Sequence, residues 1–410
     1  MSKTRRALLK PGLPLIAVVW SAAAAPAAEP PDWVRWRGPE GNGISTETNW
    51  NPQALAAPTA RRWQVRLGQG YSAVSVQGSN LFTMGNVNER DIVYCLDADT
   101  GREIWRHEYP CPKGSYPGPR ATPTLDGDRV YTLTREGDVF CLNAKTGAVL
   151  WRKNVLKGSG AKAPQWGLAS SPLIWEQAVV LNVGRRGAAL DKTTGRKLWD
   201  SDGVGGYAAP VPYPLPRGTG LALFSSKEVL GVNAADGREL WAFPWETSYD
   251  VNAADPLVQD GRVFVSSGYG RGCALLDVSG AQVRPLWENK ALRSHFSSAV
   301  LIDGHLYGID GNAGRGALRC LAWTSGELQW SSDLGFGSLL AAGGRLIVLN
   351  EKGSLFVVAA KPAACEELAR AEGAVPLEKG ERCWTMPVLC RGRLYCRTSG
   401  GTLVCFDLRP

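Results

Sequence analysis

The sequence predicts an all-β fold, an eight-bladed β-propeller of four-stranded antiparallel blades whose ring is closed by an N-terminal strand. Three observations predict it. A Thr-Gly turn followed by tryptophan recurs at intervals of about 43 residues, a period typical of propeller blades. Two alternating apolar runs around a tight turn precede the copies of this motif. The last repeat lacks an outer strand, and a strand with a matching tryptophan stands before the first repeat.

The turn motif has a chemical explanation at each position. An Asp or Asn opens the turn and can accept backbone N–H groups, and the glycine adopts the positive φ that closes it. The tryptophan lies on the outer strand that follows. Clear copies span residues 97–105, 143–151, 191–199, 233–241 and 323–330, and a looser copy ends at Trp287.

An inner hairpin precedes each turn motif. Asp-Gly between period-2 apolar runs, as in residues 123–131 and 256–264, is typical of a β-hairpin. One four-stranded sheet cannot bury both of its faces, so the repeats are expected to stack radially. The inner hairpins number eight and begin near Val74, Pro123, Pro172, Pro210, Pro256, Ala299, Leu339 and Pro387.

The two ends of the chain are expected to meet in the eighth blade. Residues 387–408 provide only three strands, and the Trp63-bearing segment 62–67 is available as the fourth. Such a clasp removes the open edge of the sheet. Blade 7 departs from the pattern, because residues 362–373 have a locally helical sequence and no tryptophan. The register nevertheless predicts a strand over 366–371.

Residues 1–28 are expected to be an export signal. A basic start is followed by a short apolar stretch and by Ala25-Pro26-Ala27, which suits a signal peptidase. Residues 4–10 also resemble a twin-arginine signal, and the twin-arginine and Sec routes both remain open. Both lead to a periplasmic or secreted protein. Residues 29–60 then form an N-terminal extension, and residues 61–410 form the propeller.

The composition excludes several classes of function. No apolar segment reaches the roughly 20 residues that a membrane span needs, and no cysteine precedes Cys95 to carry a lipid anchor. The formal charge of +8 includes four basic residues of the export signal. The remaining surplus is small and unclustered, which disfavours nucleic-acid binding.

The ten cysteines do not form a disulfide framework by pattern. Four of them recur at one register of a buried strand, where cysteine is usually a small hydrophobic residue: Cys95, Cys141, Cys320 and Cys405. The less regular cysteines leave one bridge open as an alternative: Cys111, Cys365, Cys383, Cys390 and Cys396.

The repeated Ala-x-Thr-Gly-x-x-x-Trp turn resembles the tryptophan motif of pyrroloquinoline quinone (PQQ) repeats. The resemblance covers residues 63–406 and implies the propeller fold. The segment 33–45 also looks like the start of secreted PQQ-like propellers. Two branches carry the motif, quinoprotein alcohol dehydrogenases and BamB-like propellers. The motif builds blades, so it says little about chemistry.

The sequence departs from both branches. Quinoprotein dehydrogenases usually have longer chains, and the methanol-oxidising enzymes place an adjacent Cys-Cys pair over the quinone, which this sequence lacks. BamB-like proteins are usually lipid-anchored. The short blades without insertions favour the branch that is not enzymatic.

A ligand site is expected where the chain leads into the inner strands, around one mouth of the central channel. Aromatic rings with a few polar groups there suit a flat ligand or a sugar, although they could also merely plug the channel. Alignment of the hairpins puts these residues at equivalent positions, with Tyr71 close by in blade 1: Arg120, Ala169, Tyr207, Ala253, Phe296, Phe336 and Trp384.

The polar segment 248–255 leads into blade 5. Oxygen atoms of Asp250, Asn252 and Asp255 suit Ca²⁺, which the family resemblance associates with a bound quinone. Asp250 could instead be a general base, and loops with several Asp or Asn are common without a metal. His295 on the neighbouring blade suits acid–base work, or is a hydrogen-bonded loop residue.

Three second-to-third-strand loops carry arginine beside glycine, at Arg185, Arg271 and Arg315. Arginine grips carboxylates with two N–H groups, and PQQ has three carboxylates. The alternative is that the glycines serve tight turns and the arginines keep the loops soluble.

The leading hypothesis is an exported, monomeric binding or scaffold module with a protein or glycan partner at the channel face. The alternative is a PQQ- and calcium-dependent alcohol or sugar dehydrogenase that uses Asp250, Asn252 and Asp255, with Trp384 or Tyr207 stacked on the quinone. Hydrolysis is a weaker third hypothesis, since the sequence has no nucleophile elbow and no metal triad.

Overall fold

The computed structural model describes residues 32–57, 60–112, 114–280 and 282–410, which are almost entirely β-structure. Eight four-stranded antiparallel blades form a ring, which confirms the predicted propeller. The export signal predicted for residues 1–28 lies outside the described residues. Within the described residues, no helix has the length and apolar character that a membrane crossing requires.

Blades are numbered in chain order, and their strands run from the channel to the rim. The strands of the first four blades are Ser75–Gln77, Asn80–Val87, Arg90–Asp97 and Glu103–Pro110 (blade 1); Thr124–Asp126, Arg129–Leu133, Asp138–Asn143 and Val149–Asn154 (blade 2); Leu173–Trp175, Ala178–Leu181, Ala188–Asp191 and Lys197–Trp199 (blade 3); Val211–Pro214, Thr219–Phe224, Glu228–Asn233 and Glu239–Pro244 (blade 4).

The last four blades repeat this order. Their strands are Leu257–Gln259, Arg262–Ser267, Gly272–Asp277 and Arg284–Asn289 (blade 5); Val300–Ile302, His305–Asn312, Arg315–Ala322 and Leu328–Ser332 (blade 6); Gly337–Ala342, Arg345–Asn350, Leu355–Ala359 and Glu367–Ala371 (blade 7); Val388–Cys390, Arg393–Arg397, Thr402–Asp407 and Arg61–Arg66 (blade 8).

Smaller elements lie between and beneath the blades. Ile44–Ser45 pairs in parallel with the inner strand of blade 7, and Ala161–Lys162 pairs in parallel with Gly203–Val204. In the part of the chain that the structure describes, 3-10 helices span Pro52–Ala56 and Ser248–Asp250.

The predicted clasp is confirmed. The strand Arg61–Arg66 pairs antiparallel with Thr402–Asp407, so the N-terminal strand is the outer strand of blade 8. The strand predicted in blade 7 is also confirmed, at Glu367–Ala371. The locally helical pattern of that segment is overridden because the segment pairs antiparallel with the neighbouring strand Leu355–Ala359.

The tryptophan of an outer strand joins its blade to the next blade. Trp105 donates from Nε1 to the carbonyl oxygen of Ala144 at 2.9 Å. A Cβ atom at Gly147 would come within 2.6 Å of the Trp105 ring. Glycine is therefore needed at that turn both for its φ of +72° and for the ring of the neighbouring blade. The same N–H to carbonyl contact is made by Trp63, Trp151, Trp199, Trp287 and Trp330.

Blade 7 has no such tryptophan, and the N-terminal segment fills the gap. Trp50 and Leu55 are buried in the cluster that contains Ala369 of the blade 7 outer strand. The backbone N–H of Asn51 donates to Leu408 at 2.6 Å, and Gln53 Nε2 donates to Leu368 at 2.8 Å. This segment therefore bridges blades 7 and 8.

The segment 32–45 spans the ring. Trp33 forms a β-bridge to Val76 of blade 1. On the other side of the ring, Arg37 Nη2 donates to the carbonyl of Ala299, beside the inner strand of blade 6, at 2.7 Å. The extension that the sequence interpretation set apart from the propeller thus packs against blades on opposite sides of the channel.

All ten cysteines are free thiols, so the alternative of one bridge among the irregular cysteines is wrong. Nine are buried within or between the blades, where they contribute as small hydrophobic residues. Cys365 alone is half-buried.

Candidate ligand-binding site at the channel mouth

A cavity of about 440 Å³ occupies one mouth of the channel, in the size range of small-molecule sites. It is bordered by the connections that lead into the inner strands. The predicted site residues on its wall are Tyr71, Arg120, Ala169, Tyr207, Ala253, Asp255, His295, Phe296 and Trp384. Phe336 is not on the wall, because it is buried behind Phe296 at a ring distance of 5.1 Å.

Aromatic rings follow one another around the mouth. Tyr71 stacks on Trp384 with ring centroids 5.9 Å apart and planes inclined by 20°. The Trp384 ring is held in place because its Nε1 donates to Glu351 at 3.0 Å, and the same carboxylate accepts the backbone N–H of Gly314 at 2.9 Å. The neighbouring ring pairs lie 4.6–6.2 Å apart: Trp384–Phe296, Phe296–His295, His295–Tyr269, Tyr269–Tyr249, Tyr249–Trp166 and Trp166–Tyr207.

Arg120 completes this series between Trp166 and Tyr116. Its Nη1 donates to the Trp166 carbonyl at 2.6 Å, and its Nη2 donates to the Tyr116 carbonyl at 3.1 Å. Burial lowers the pKa of Arg120. Through these two hydrogen bonds the Arg120 guanidinium connects the loops that carry Trp166 and Tyr116.

Three tyrosines at the edge of the cavity mouth, called the rim tyrosines below, adopt an unusual backbone conformation. Tyr116, Tyr249 and Tyr269 have φ of 54°, 62° and 52°, in the left-handed region that bulky residues rarely adopt. Tyr249 is 64% exposed and Tyr116 is 54% exposed. Backbone strain of this kind clusters at ligand-binding loops, which makes the rim tyrosines a candidate contact surface for a ligand.

The N-terminal segment forms the floor of the cavity. Trp36 lies on the cavity wall, and its Nε1 donates to Oδ2 of Asp255 at 2.6 Å. Behind it, the Nε of Arg37 lies 3.8 Å from the same oxygen. Burial raises the pKa of Asp255, and the Arg37 guanidinium opposes that shift.

Asp255 also belongs to a belt of hydrogen bonds between inner strands. Its Oδ1 accepts the backbone N–H of Ala209 at 2.7 Å, and its own N–H donates to Ser298 Oγ at 2.8 Å. Between blades 1 and 2, the hydroxyl of Thr122 makes the equivalent contact and accepts the backbone N–H of Ala73 at 3.1 Å. The Asp255 carboxylate thus takes the position that the Thr122 hydroxyl has between blades 1 and 2.

His295 presents a polar atom without a partner. Its Nδ1 is buried and makes no hydrogen bond within the described residues. Burial lowers the pKa of His295 to about 4, so the ring is neutral at physiological pH.

The predicted calcium ligands do not fit a calcium site. Both oxygens of Asp255 are occupied as described. The side-chain oxygen of Asn252 accepts from Ser267 Oγ at 2.8 Å, and its amide N–H groups donate to backbone carbonyls. Calcium requires six to eight oxygen ligands. Only Asp250 keeps an unshared carboxylate, and the described residues contain no group of three His, Cys, Asp or Glu side chains suited to a metal.

The three loop arginines are not brought together. Arg185 is paired with Glu228 and Glu239 of blade 4. Arg271 pairs with Glu288 at 2.6 Å and lies over the Trp245 ring at 3.6 Å. Only Arg315 lies near the mouth, in a second cleft next to the cavity. The geometry therefore does not bring the three arginines together around the carboxylates of one quinone.

These features define the chain as an eight-bladed propeller with an aromatic channel mouth. The family model described as outer membrane protein assembly factor BamB, a PQQ-repeat model, matches residues 89–332. The chain therefore belongs to this family of PQQ-like β-propellers. No curated protein sequence matches the chain significantly.

Solved structures agree on the fold. BamB from Moraxella catarrhalis superposes with a TM-score of 0.61 at 17% identity, covering 85% of this chain and 97% of the other. Quinohemoprotein alcohol dehydrogenase from Comamonas testosteroni superposes with a TM-score of 0.70 at 12% identity, covering 92% of this chain and 80% of the other. At these identities the likeness concerns the fold alone.

Sequence reasoning missed several residues of the mouth. Trp36 lies before the propeller repeats in sequence, and its place in the segment 33–45, which resembles the start of secreted PQQ-like propellers, was the only signal for it. The others lie in long connections or in a second-to-third-strand loop, outside the aligned positions: Tyr116, Trp166, Tyr249 and Tyr269.

Proposed function

We propose that this protein is an exported binding module whose channel mouth holds a carbohydrate. The observation that carries the proposal is the continuous series of aromatic rings around a cavity of about 440 Å³. Sugars have apolar C–H faces that stack on aromatic rings and hydroxyl groups that bond to polar edges. The rim tyrosines and the cavity wall offer both.

The polar groups on the cavity wall are largely engaged within the protein, which favours a ligand that meets the wall through its apolar faces. Arg120 spends its N–H groups on backbone carbonyls, Asp255 is shared among Trp36, Ala209 and Arg37, and His295 is neutral. Arg120 remains cationic, but the N–H groups that it donates to the Trp166 and Tyr116 carbonyls are already used within the protein, so a ligand meets this wall mainly through aromatic rings.

The dehydrogenase alternative is less well supported. Its proposed ligands Asn252 and Asp255 already accept hydrogen bonds within the protein. Holding a calcium ion there would require breaking the Asn252–Ser267 bond and the Asp255–Ala209 bond between blades.

The test is a titration of the protein lacking residues 1–28 with neutral and acidic trisaccharides, by calorimetry and by tryptophan fluorescence. Trp384→Ala should weaken binding at least about tenfold, as the loss of a stacked ring does. Leu328→Ala, on an exposed outer strand, is the matched control and should leave binding unchanged. Thermal unfolding verifies that both variants fold.

Two outcomes contradict the proposal. If no saccharide binds at millimolar concentration, the carbohydrate assignment is wrong. If addition of PQQ and Ca²⁺ produces dye-linked alcohol oxidation that Asp250→Ala abolishes, the protein is an enzyme of the alternative class.

Export belongs to the proposal and has its own test. Expression of the full chain in a bacterium, followed by fractionation, should place the processed protein outside the cytoplasm. Replacing Arg5 and Arg6 with lysine should stop export by the twin-arginine route and leave the Sec route intact. Retention of the unprocessed wild-type chain in the cytoplasm would contradict export.

A further inference from the structure

A second cleft of about 590 Å³ adjoins the aromatic cavity. It lies between the second-to-third-strand loops of blades 5 and 6. The two spaces share Tyr269 and Asn312 on their walls, so they are continuous at the mouth. A ligand of two or three rings can extend from one into the other.

The charges in this cleft are unbalanced. Arg293 and Arg319 share one buried carboxylate, that of Asp310, at 2.6 Å and 3.2 Å. The Asp310 side chain is only 4% exposed, whereas that of Arg293 is 38% exposed. With Arg315, the cleft wall carries three arginines against the carboxylates of Asp310 and the exposed Asp333, which leaves a surplus of one positive charge.

Arg315 provides the free anion-binding group. It is exposed on the cleft wall and makes no side-chain hydrogen bond or ion pair within the described residues. Asn312 stands between Arg315 and the cavity. Its Oδ1 accepts the backbone N–H of Tyr269 at 3.0 Å, which leaves the amide N–H groups as donors.

We propose that this cleft is an anion subsite and that the carbohydrate ligand is acidic, with a sugar ring on the aromatic wall and an anionic group held by Arg315 and Asn312. The inference rests on the proposed carbohydrate function and deepens it. Arginine binds the two oxygens of a carboxylate or phosphate with parallel N–H donors, which suits an acidic substituent on a sugar. The anionic oxygens can come from a uronic acid or from a phosphate ester.

The experiment compares three probes on the protein lacking residues 1–28: maltotriose, trigalacturonic acid and maltotriose carrying a phosphate ester. The acidic probes should bind at least about tenfold more tightly than maltotriose. This preference should shrink as salt rises from about 0.05 M to about 0.5 M, because the contact is a surface ion pair. Which acidic probe binds more tightly identifies the source of the anionic group.

Arg315→Gln should abolish the preference for acidic probes while leaving maltotriose affinity unchanged, because within the described residues Arg315 has no side-chain partner to lose. Arg217→Gln, in the exposed hairpin between the first two strands of blade 4, is the matched control and should change nothing. Arg315→Glu should reverse the preference.

The two proposals fail in different ways. If maltotriose and the acidic probes bind equally well to wild type and to Arg315→Gln, the anion subsite is wrong and the carbohydrate function stands. If none of the three probes binds, both are wrong. Acidic binding that survives Arg315→Gln unchanged also overturns the subsite.

Discussion

Trp36 and Asp255 are joined by a hydrogen bond of 2.6 Å between the indole Nε1 and Oδ2, which links the N-terminal segment to blade 5 at the floor of the channel. The same carboxylate faces Arg37, whose side chain is 1% exposed. A segment outside the repeats thus supplies both the floor of the cavity and the counter-charge of a buried aspartate.

Asp255→Asn should destabilise the fold by about 3–5 kcal/mol, because Arg37 would remain buried without a counter-charge. Denaturant unfolding measures the loss. In an Arg37→Met background the same change should cost clearly less, since only the hydrogen bond that the amide nitrogen cannot accept is lost and no charge is left uncompensated. Equal costs in both backgrounds would show that the ion pair is unimportant.

Gly147→Ala should destabilise the protein more than Gly127→Ala. Both glycines have positive φ, +72° and +60°, so both variants carry backbone strain of about 1–2 kcal/mol. Only at Gly147 would the new methyl group meet a ring, that of Trp105 at 2.6 Å, whereas nothing lies within 4 Å of Gly127. Equal unfolding free energies for the two variants would contradict the role of the tryptophan contact.

Stability should fall below about pH 6.5, with His295 as one cause. Its folded pKa is lowered to about 4 by burial, below the unfolded value. Between these two pKa values the unfolded chain binds a proton at this histidine and the folded protein does not. The stability that is present above about pH 6.5 is therefore lost as the pH falls toward 4. His295→Phe should remove up to about 3 kcal/mol of this pH dependence. An unchanged slope in the variant would show that His295 is not protected from protonation.

Glu351→Ala should weaken ligand binding although Glu351 itself does not line the cavity. The carboxylate holds the Trp384 ring and the Gly314 backbone, so its loss should free both. We expect about tenfold weaker saccharide binding and faster depolarisation of tryptophan fluorescence. Glu351→Gln, which keeps an acceptor oxygen, should restore most of the affinity. If neither variant changes affinity, the orientation of Trp384 is set by packing alone.

A thiol reagent should label one cysteine in the native protein and ten after denaturation. Cys365 is the half-buried thiol, and burial raises the pKa of the other nine. Reducing agent should leave the melting temperature unchanged. Fewer than ten thiols after denaturation would reveal a disulfide.

The repeats made most of the fold predictable. The copies of the turn motif encode the same turn, and most of them encode the same tryptophan contact to the next blade, so a local pattern determined the blades and their number. Trp241 is the exception and donates to Tyr213 of its own blade. The blade 7 outer strand at Glu367–Ala371 was predictable only from register, because its own residues favour a helix. The neighbouring strand decided the outcome by offering backbone partners.

The candidate site was only partly predictable. Positions aligned with the inner strands, such as Tyr71, Phe296 and Trp384, do line the cavity. Residues on long connections, such as Tyr249, were invisible to the alignment because connections have no period.

The sequence by itself determined the eight blades, the clasp by Arg61–Arg66 and the position of most channel residues, because these depend on repeated local patterns. Only the tertiary structure decided that Asp255 is a partner of Trp36, Ala209 and Arg37. The physical reason is distance along the chain. Trp36 and Asp255 are separated by 219 residues, and only closure of the ring brings them together.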